Sequence, residues 1–157
     1  VYKRQEQGYL TVSHEHFASE RVREILASKW RPLSDSARGP RVVCATLPGE
    51  RHTLGLHMAT VMLALSELSI IFLGADTPVA DLAAVAHDAA ATAVAISISI
   101  AVDRERATAQ LYELRRLLDT SVILAIGGAG AFPASQGITL LDSLQSVAEW
   151  AETLREG

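Results

Sequence analysis

The sequence predicts an α/β fold: a flavodoxin-like (Rossmann-like), doubly wound domain on a five-stranded parallel sheet, preceded by the remnant of a helical-bundle cap. Three observations predict it. From residue 41 onward, short apolar runs alternate with longer stretches of helical periodicity. The runs, at 41–47, 69–73, 93–98, 121–126 and 138–140, are apolar on both alternating sets of positions, as expected of strands buried on both faces. Five such strands separated by helices make βα units, which close only as a parallel sheet.

Taken in order, residues 13–29 place Ala18, Val22, Ile25 and Leu26 at helical spacing, with Ser13 as a cap and Glu15 in the first turn. One amphipathic helix cannot bury its own face, so it must lie on the main domain, on further helices or on a partner chain. Residues 30–40 carry Pro, Gly, Ser and charge and read as a linker. The expected organisation is therefore a cap segment at 1–30, a linker at 31–40 and the main domain at 41–157.

Within that domain the segment after His52 offers Leu54, Met58, Val61, Met62 and Leu65 as one face, with Gly55 and Ala59 allowing close approach to the sheet. The next helix starts at Thr77-Pro78 and uses Leu82, Val85 and Ala89. A third begins at Asp103 and turns Leu111, Leu114, Leu117 and Leu118 inward. The last opens with Asp142-x-x-Gln145, a capping-box variant, and packs Leu144, Val147, Ala148, Ala151 and Leu154.

Composition narrows the function classes. At 157 residues the chain can bury a self-sufficient core. Its net charge of −4, with Lys and Arg scattered, leaves no footprint for direct nucleic-acid binding. The single cysteine, Cys44, lies in an apolar run; it excludes an internal disulfide and reads as a small core residue in a reducing compartment. No apolar stretch reaches the length of a membrane span, and nothing resembles a signal peptide, so a cytoplasmic location is expected. The sequence starts at Val1 without Met and reads as a piece of something longer.

The chemistry concentrates in Pro48-Gly-Glu50-Arg-His52-Thr53-Leu54-Gly55, directly after the first strand. In an open α/β sheet the loops leaving the carboxyl ends of the strands hold the ligand. In an extended loop, residues two apart point the same way, so the Glu50 carboxylate can share a side with the His52 ring. A carboxylate accepting one ring N–H fixes the tautomer and leaves the other nitrogen free to bind a metal. On the same edge fall Ser97-x-Ser99 and Gly127-Gly128-Ala-Gly130. Small hydroxyls there can hydrogen-bond a ligand, or satisfy their own backbone; the glycines can admit a ligand to bare backbone, or form a tight turn. Gly128-x-Gly130 follows the wrong strand for a dinucleotide fingerprint and has Pro133 in place of the third glycine.

Forty-one residues separate Gly55 from Ser97, and 27 separate Ser99 from Gly127. With Glu50-x-His52-x-x-Gly55, Ser97-x-Ser99 and Gly127-Gly128, this spacing resembles the cobalamin-binding domains of methionine synthase and its relatives: D-x-H-x-x-G, S-x-L and G-G. Glu50 stands for the aspartate and Ser99 for the leucine. The resemblance implies that His52 binds cobalt from below after displacing the cofactor's own base, and that Glu50 orients His52. It further implies that Ser97 or Ser99 touches the nucleotide tail, and that Gly55, Gly127 and Gly128, beside Thr53 and Leu54, line the slot that receives it.

The segment 9–19, with Glu15-His16, resembles the last helix of the bundle that caps cobalamin in the CarH and LitR light-sensing transcriptional regulators. Gln5 and Glu6 stand where those proteins carry a tryptophan and a histidine. The resemblance implies a sensory module using adenosylcobalamin, with methylcobalamin or hydroxocobalamin as other forms, a light response and a possible homo-oligomer. Two alternatives use the same edge: a corrinoid carrier of a methyltransferase system, and a flavodoxin- or receiver-like binding domain without cobalt. His14, His57 and His87 read as exposed or satisfied.

Overall fold

The computed structural model describes residues 12–134 and 137–157. Gln5, Glu6 and the first residues of the 9–19 motif lie outside the described residues. Helix α1 (Val12–Ser36) precedes β1 (Arg41–Thr46), α2 (Leu54–Leu65), β2 (Ser69–Gly74), α3 (Val79–Asp88), β3 (Ala93–Ser97), α4 (Arg104–Leu117), β4 (Ile123–Gly127), β5 (Ile138–Leu141) and α5 (Leu144–Glu156). The five strands form one parallel sheet in the order β2-β1-β3-β4-β5, the flavodoxin-like arrangement.

Side chains alternate across the sheet, and the two faces differ in bulk. Toward α3 and α4 it presents Val43, Val94, Ile96, Leu124 and Ile126, all buried. Toward α2 and α5 it presents Val42 and then Cys44, Ala93, Ala95 and Ala125. Small side chains on that second face leave room between the sheet and its helices.

Residues 30–36, read above as linker, are instead helical. The helix runs through Pro32 to Ser36. A proline inside a helix costs about 3 kcal/mol, so tertiary contacts must offset it. Trp30 is buried and packs on Phe72, ring centroids 5.3 Å apart. Buried Ser34 accepts from the Ile70 backbone N–H at 2.8 Å. β2 is an edge strand, and Ser34 of α1 engages the backbone N–H and carbonyl of its Ile70. The stripe of Ala18, Val22 and Ile25 does not face the domain; Val22 and Ile25 are exposed, and the buried positions are Ala27, Trp30 and Ser34.

Three other helix details differ from expectation. In α2 the buried positions are Leu56, His57, Thr60, Leu63 and Ala64, while Met58 and Leu65 are exposed. That helix is apolar nearly all round, and periodicity could not choose its inner face. Leu117 and Leu144 are exposed, and Trp150 fills the inward position on α5. The capping box of α5 is formed by Ser143 and Ser146, one residue later than Asp142 and Gln145.

Candidate functional site

Strand order reverses at the β1/β3 boundary: the chain leaves β1 toward β2 on one side and returns to β3 on the other. Loops there diverge and open a crevice at the carboxyl edge. The loop after β1 is built to hold Glu50. Gly49 takes a φ of +89°, and its N–H donates to Asp76 Oδ1 at 2.6 Å. The Glu50 carbonyl accepts from Thr46 Oγ1 at 2.6 Å and from the Asp76 N–H at 2.9 Å.

The Glu50 side chain is 3% exposed and fully engaged. Oε1 lies 2.7 Å from the His52 backbone nitrogen and 2.7 Å from His52 Nδ1. Oε2 accepts from the Ser99 N–H at 3.2 Å and from the Ser99 hydroxyl. Burial pushes the carboxyl pKa up, but the Ser99 hydroxyl, the His52 N–H, the His52 ring and the Ser99 N–H together hold it below the usual carboxylate range. Glu50 is therefore ionised and acceptor-only, so Nδ1 carries the proton that faces it. The His52 ring is 69% exposed, with Nε2 as the nitrogen left to accept. Its acid is buried while the imidazole projects from the sheet edge.

Three residues beyond His52 a cleft of about 340 Å³ begins, running down the sheet between α2 and α5. Gly55, Ser97, Gly127 and Gly128 stand at its upper end, with Asp142 and Ser143 opposite; Cys44, Leu63 and Trp150 also line it. A Cβ on Gly55 would lie 3.2 Å from Ser97 Oγ. Gly128 has φ +104°, and a Cβ there would lie 2.5 Å from the Ile98 carbonyl oxygen. The fold itself thus requires glycine at 128, whatever the cleft holds.

The sequence-derived residues fall into distinct places. Glu50, His52 and Ser99 form one hydrogen-bonded cluster; Ser97, Gly55, Gly127 and Gly128 line the cleft. Ser99, expected as one of two partners for a ligand tail, has its hydroxyl turned to Glu50. Thr53 is buried at the N-cap of α2, its carbonyl accepting from the His57 N–H, and Leu54 opens that helix half-buried. Glu15 is half-buried and His16 exposed, both in the opening turns of α1 and outside the Glu50 cluster of contacts. Missed from sequence were Asp76, which braces Gly49, and the row of small residues that makes the cleft. The alternation of small and large residues along β3 and β4 was the signal for that row.

An open parallel sheet with a histidine at its switch point and a deep cleft alongside defines a cofactor-binding domain of the doubly wound class. The model of the B12 binding domain family matches residues 40–143, and the chain belongs to that family: it is a cobalamin-binding domain. Among curated proteins it is similar to the HTH-type transcriptional repressor CarA of Myxococcus xanthus, 37% identical over 73 residues, 46% of this chain. The match spans 25% of that relative's length. The fold resembles a monomethylamine corrinoid protein of Methanosarcina barkeri (TM-score 0.69, 16% identity, 94% of this chain and 74% of that one). It also resembles a cobalamin-binding protein of Desulfitobacterium hafniense (TM-score 0.61, 19% identity, covering 97% and 75%). A third likeness is to the methanol:cobalamin methyltransferase complex MtaBC of M. barkeri (TM-score 0.65, 16% identity, covering 99% and 62%). Among the described residues no helix is long and apolar enough to cross a membrane.

Proposed function

We propose that the chain is a cobalamin-binding sensory module of a CarH-like transcriptional regulator, holding adenosylcobalamin with His52 as the lower ligand to cobalt and responding to light. The observation that carries the ligand assignment is the pairing of an exposed imidazole with a buried, ionised acid: Glu50 engages Nδ1, and Nε2 is left as the donor. The donor set fits the group, because one exposed imidazole beside a glycine-walled apolar cleft would supply a single nitrogen ligand and room for a threaded tail. Adenosylcobalamin would supply a cobalt–carbon bond that light breaks; this chain supplies ligation, orientation and shelter.

His52 donates the ligand nitrogen, and Glu50 and Ser99 keep its ring oriented. Gly55, Ser97, Gly127 and Gly128 admit the tail. Glu15 and His16, at the start of α1, are proposed to meet the upper face. The similarity to CarA favours a regulator, in which the chain acts as a binding module rather than an enzyme, without contacting nucleic acid itself and with assembly into homo-oligomers as its output.

A second reading, a corrinoid carrier in a methyltransferase system, is favoured by the shared fold of the corrinoid proteins of M. barkeri. One experiment separates these readings. Adenosylcobalamin is added in the dark to wild type and to His52→Ala, and visible spectra and gel-filtration volumes are recorded before and after illumination. The sensor reading expects a histidine-ligated spectrum lost in the variant, and a light-dependent change in both spectrum and size. Ligation with a spectral change on illumination but no light-dependent change in size favours the carrier. An unchanged spectrum in His52→Ala removes the ligand assignment.

A further inference from the structure

Register across the sheet orders the cleft by depth. In parallel strands pointing to the carboxyl edge, earlier residues lie deeper; in the helices that return from it, later residues lie deeper. The upper row is Thr46, Ser97, Gly127 and Leu141, and the row two residues below is Cys44, Ala95 and Ala125. On α2 the descent runs from Gly55 through Ala59 to Leu63, and on α5 from Leu144 through Val147 to Trp150.

Polarity divides at the same depth. The upper end carries the Ser97 hydroxyl, the backbone of 127–129, and Asp142 with Ser143. Below it the lining side chains are Cys44, Ala59, Leu63, Ala125, Val147 and Trp150. The strand backbones there are paired in the sheet, and the helix backbones bond within their helices. Cys44 is a neutral thiol, its pKa pushed up to about 12 by burial. A planar group seated at this depth meets an apolar floor whose uncommitted polar group among the described side chains is the Trp150 indole N–H, a donor, with no side-chain oxygen beside it to accept from an amine.

We propose that this floor selects corrinoids by the base that ends their nucleotide tail, accepting an apolar base without an exocyclic amine, such as a benzimidazole or a phenol, and rejecting a purine. The inference rests on the cobalamin reading above and adds a specificity to its cleft. Adenine brings an exocyclic amine and several ring nitrogens that lose water on entry; the Trp150 N–H can meet one ring nitrogen, but the amine finds no acceptor, which is the costly half of burying a polar group. Dimethylbenzimidazole and p-cresol present hydrocarbon edges to the same floor.

Affinities are measured in the dark, by equilibrium dialysis with visible detection, for four hydroxo-corrinoids: benzimidazolyl, p-cresolyl and adeninyl cobamides, and tail-less cobinamide. p-Cresol cannot bind cobalt, so that arm separates fit to the floor from the work of displacing the base. The expected order places the benzimidazolyl and cresolyl forms together and the adeninyl form roughly tenfold or more weaker. Ala59→Gln, which brings an amide into the cleft from a good helix-forming position, is expected to narrow that gap severalfold. Adeninyl and benzimidazolyl forms binding alike, both far tighter than cobinamide, would overturn the specificity and leave the tail-slot reading standing. Cobinamide binding as tightly as the rest would overturn both.

Discussion

Trp30 on α1 donates its indole N–H to Nδ1 of His57 on α2, 3.4 Å away, and both rings are buried against Phe72, the His57 and Phe72 centroids 4.6 Å apart. This joins the N-terminal helix to the sheet domain through an imidazole that must be neutral at Nδ1 to accept. Burial, then the nearby Arg23 and Arg31, push the His57 pKa below its ordinary value, while Glu20 opposes them.

The sign of the pH effect follows. The unfolded chain takes up a proton on His57 at higher pH than the folded chain does, so stability is full above about pH 6.5 and falls as pH drops from there through the folded pKa. Melting temperature measured from pH 8 to pH 5 should decline below about 6.5 in the wild type and decline less in His57→Gln. Identical slopes in the two proteins would rule out this coupling.

Glu50 adds a loss of the same sign at lower pH. Its lowered pKa means that its contribution is present above the ordinary value of 4.5 and is lost as pH falls through the folded value. Glu50→Gln swaps one of two acceptor oxygens for a donor, set against either the Ser99 or the His52 donors, and urea unfolding at pH 7 should show a loss of about 1 to 3 kcal/mol. The variant should also lack the acid-limb loss tied to this group.

His52→Ala is expected to leave the urea midpoint within about 0.5 kcal/mol of wild type, because the ring is mostly exposed. Set beside the spectral loss proposed above, this separates a ligand from a structural histidine. A large stability loss would place the ring in the fold's own bonding instead.

Two glycines at the cleft should respond differently to alanine. Gly128→Ala meets a positive φ and the Ile98 carbonyl, and should cost about 2 kcal/mol or more. Gly55→Ala sits in the first turn of α2 beside the softer Ser97 hydroxyl. It should fold as stably as wild type, helped by alanine's helix propensity, while retaining less cobalamin on desalting.

Cys44 should be inert. Thiolate is the reactive form, and burial holds this thiol to a pKa of about 12. An aromatic disulfide reagent at pH 8 should label it only in denaturant; rapid labelling of the folded chain would show that the cleft floor opens.

Much of the fold was legible because strands buried on both faces leave an unmistakable apolar signature, as in β1 and β3, and because turn residues separate them. The residues of the edge loops were legible from local spacing. What escaped depends on distant pairing. No local pattern shows that Ser99 reaches Glu50, or that Cys44, Ala95 and Ala125 share one register row. Pro32 misled for a related reason: its local preference breaks a helix, and only the burial of Trp30 and Ser34 keeps α1 whole.

The anchoring of α1 near its carboxyl end has a mechanical consequence. Its fully buried positions begin at Ala27, so the turns before it extend as a continuous helix ahead of the anchor at Trp30. At 1.5 Å per residue the stretch from Trp30 to Val12 is roughly 27 Å long, and a ten-degree tilt at that anchor would carry its tip about 5 Å. A change in helix direction beside His57 would thereby reach a neighbouring molecule as a displacement of that size.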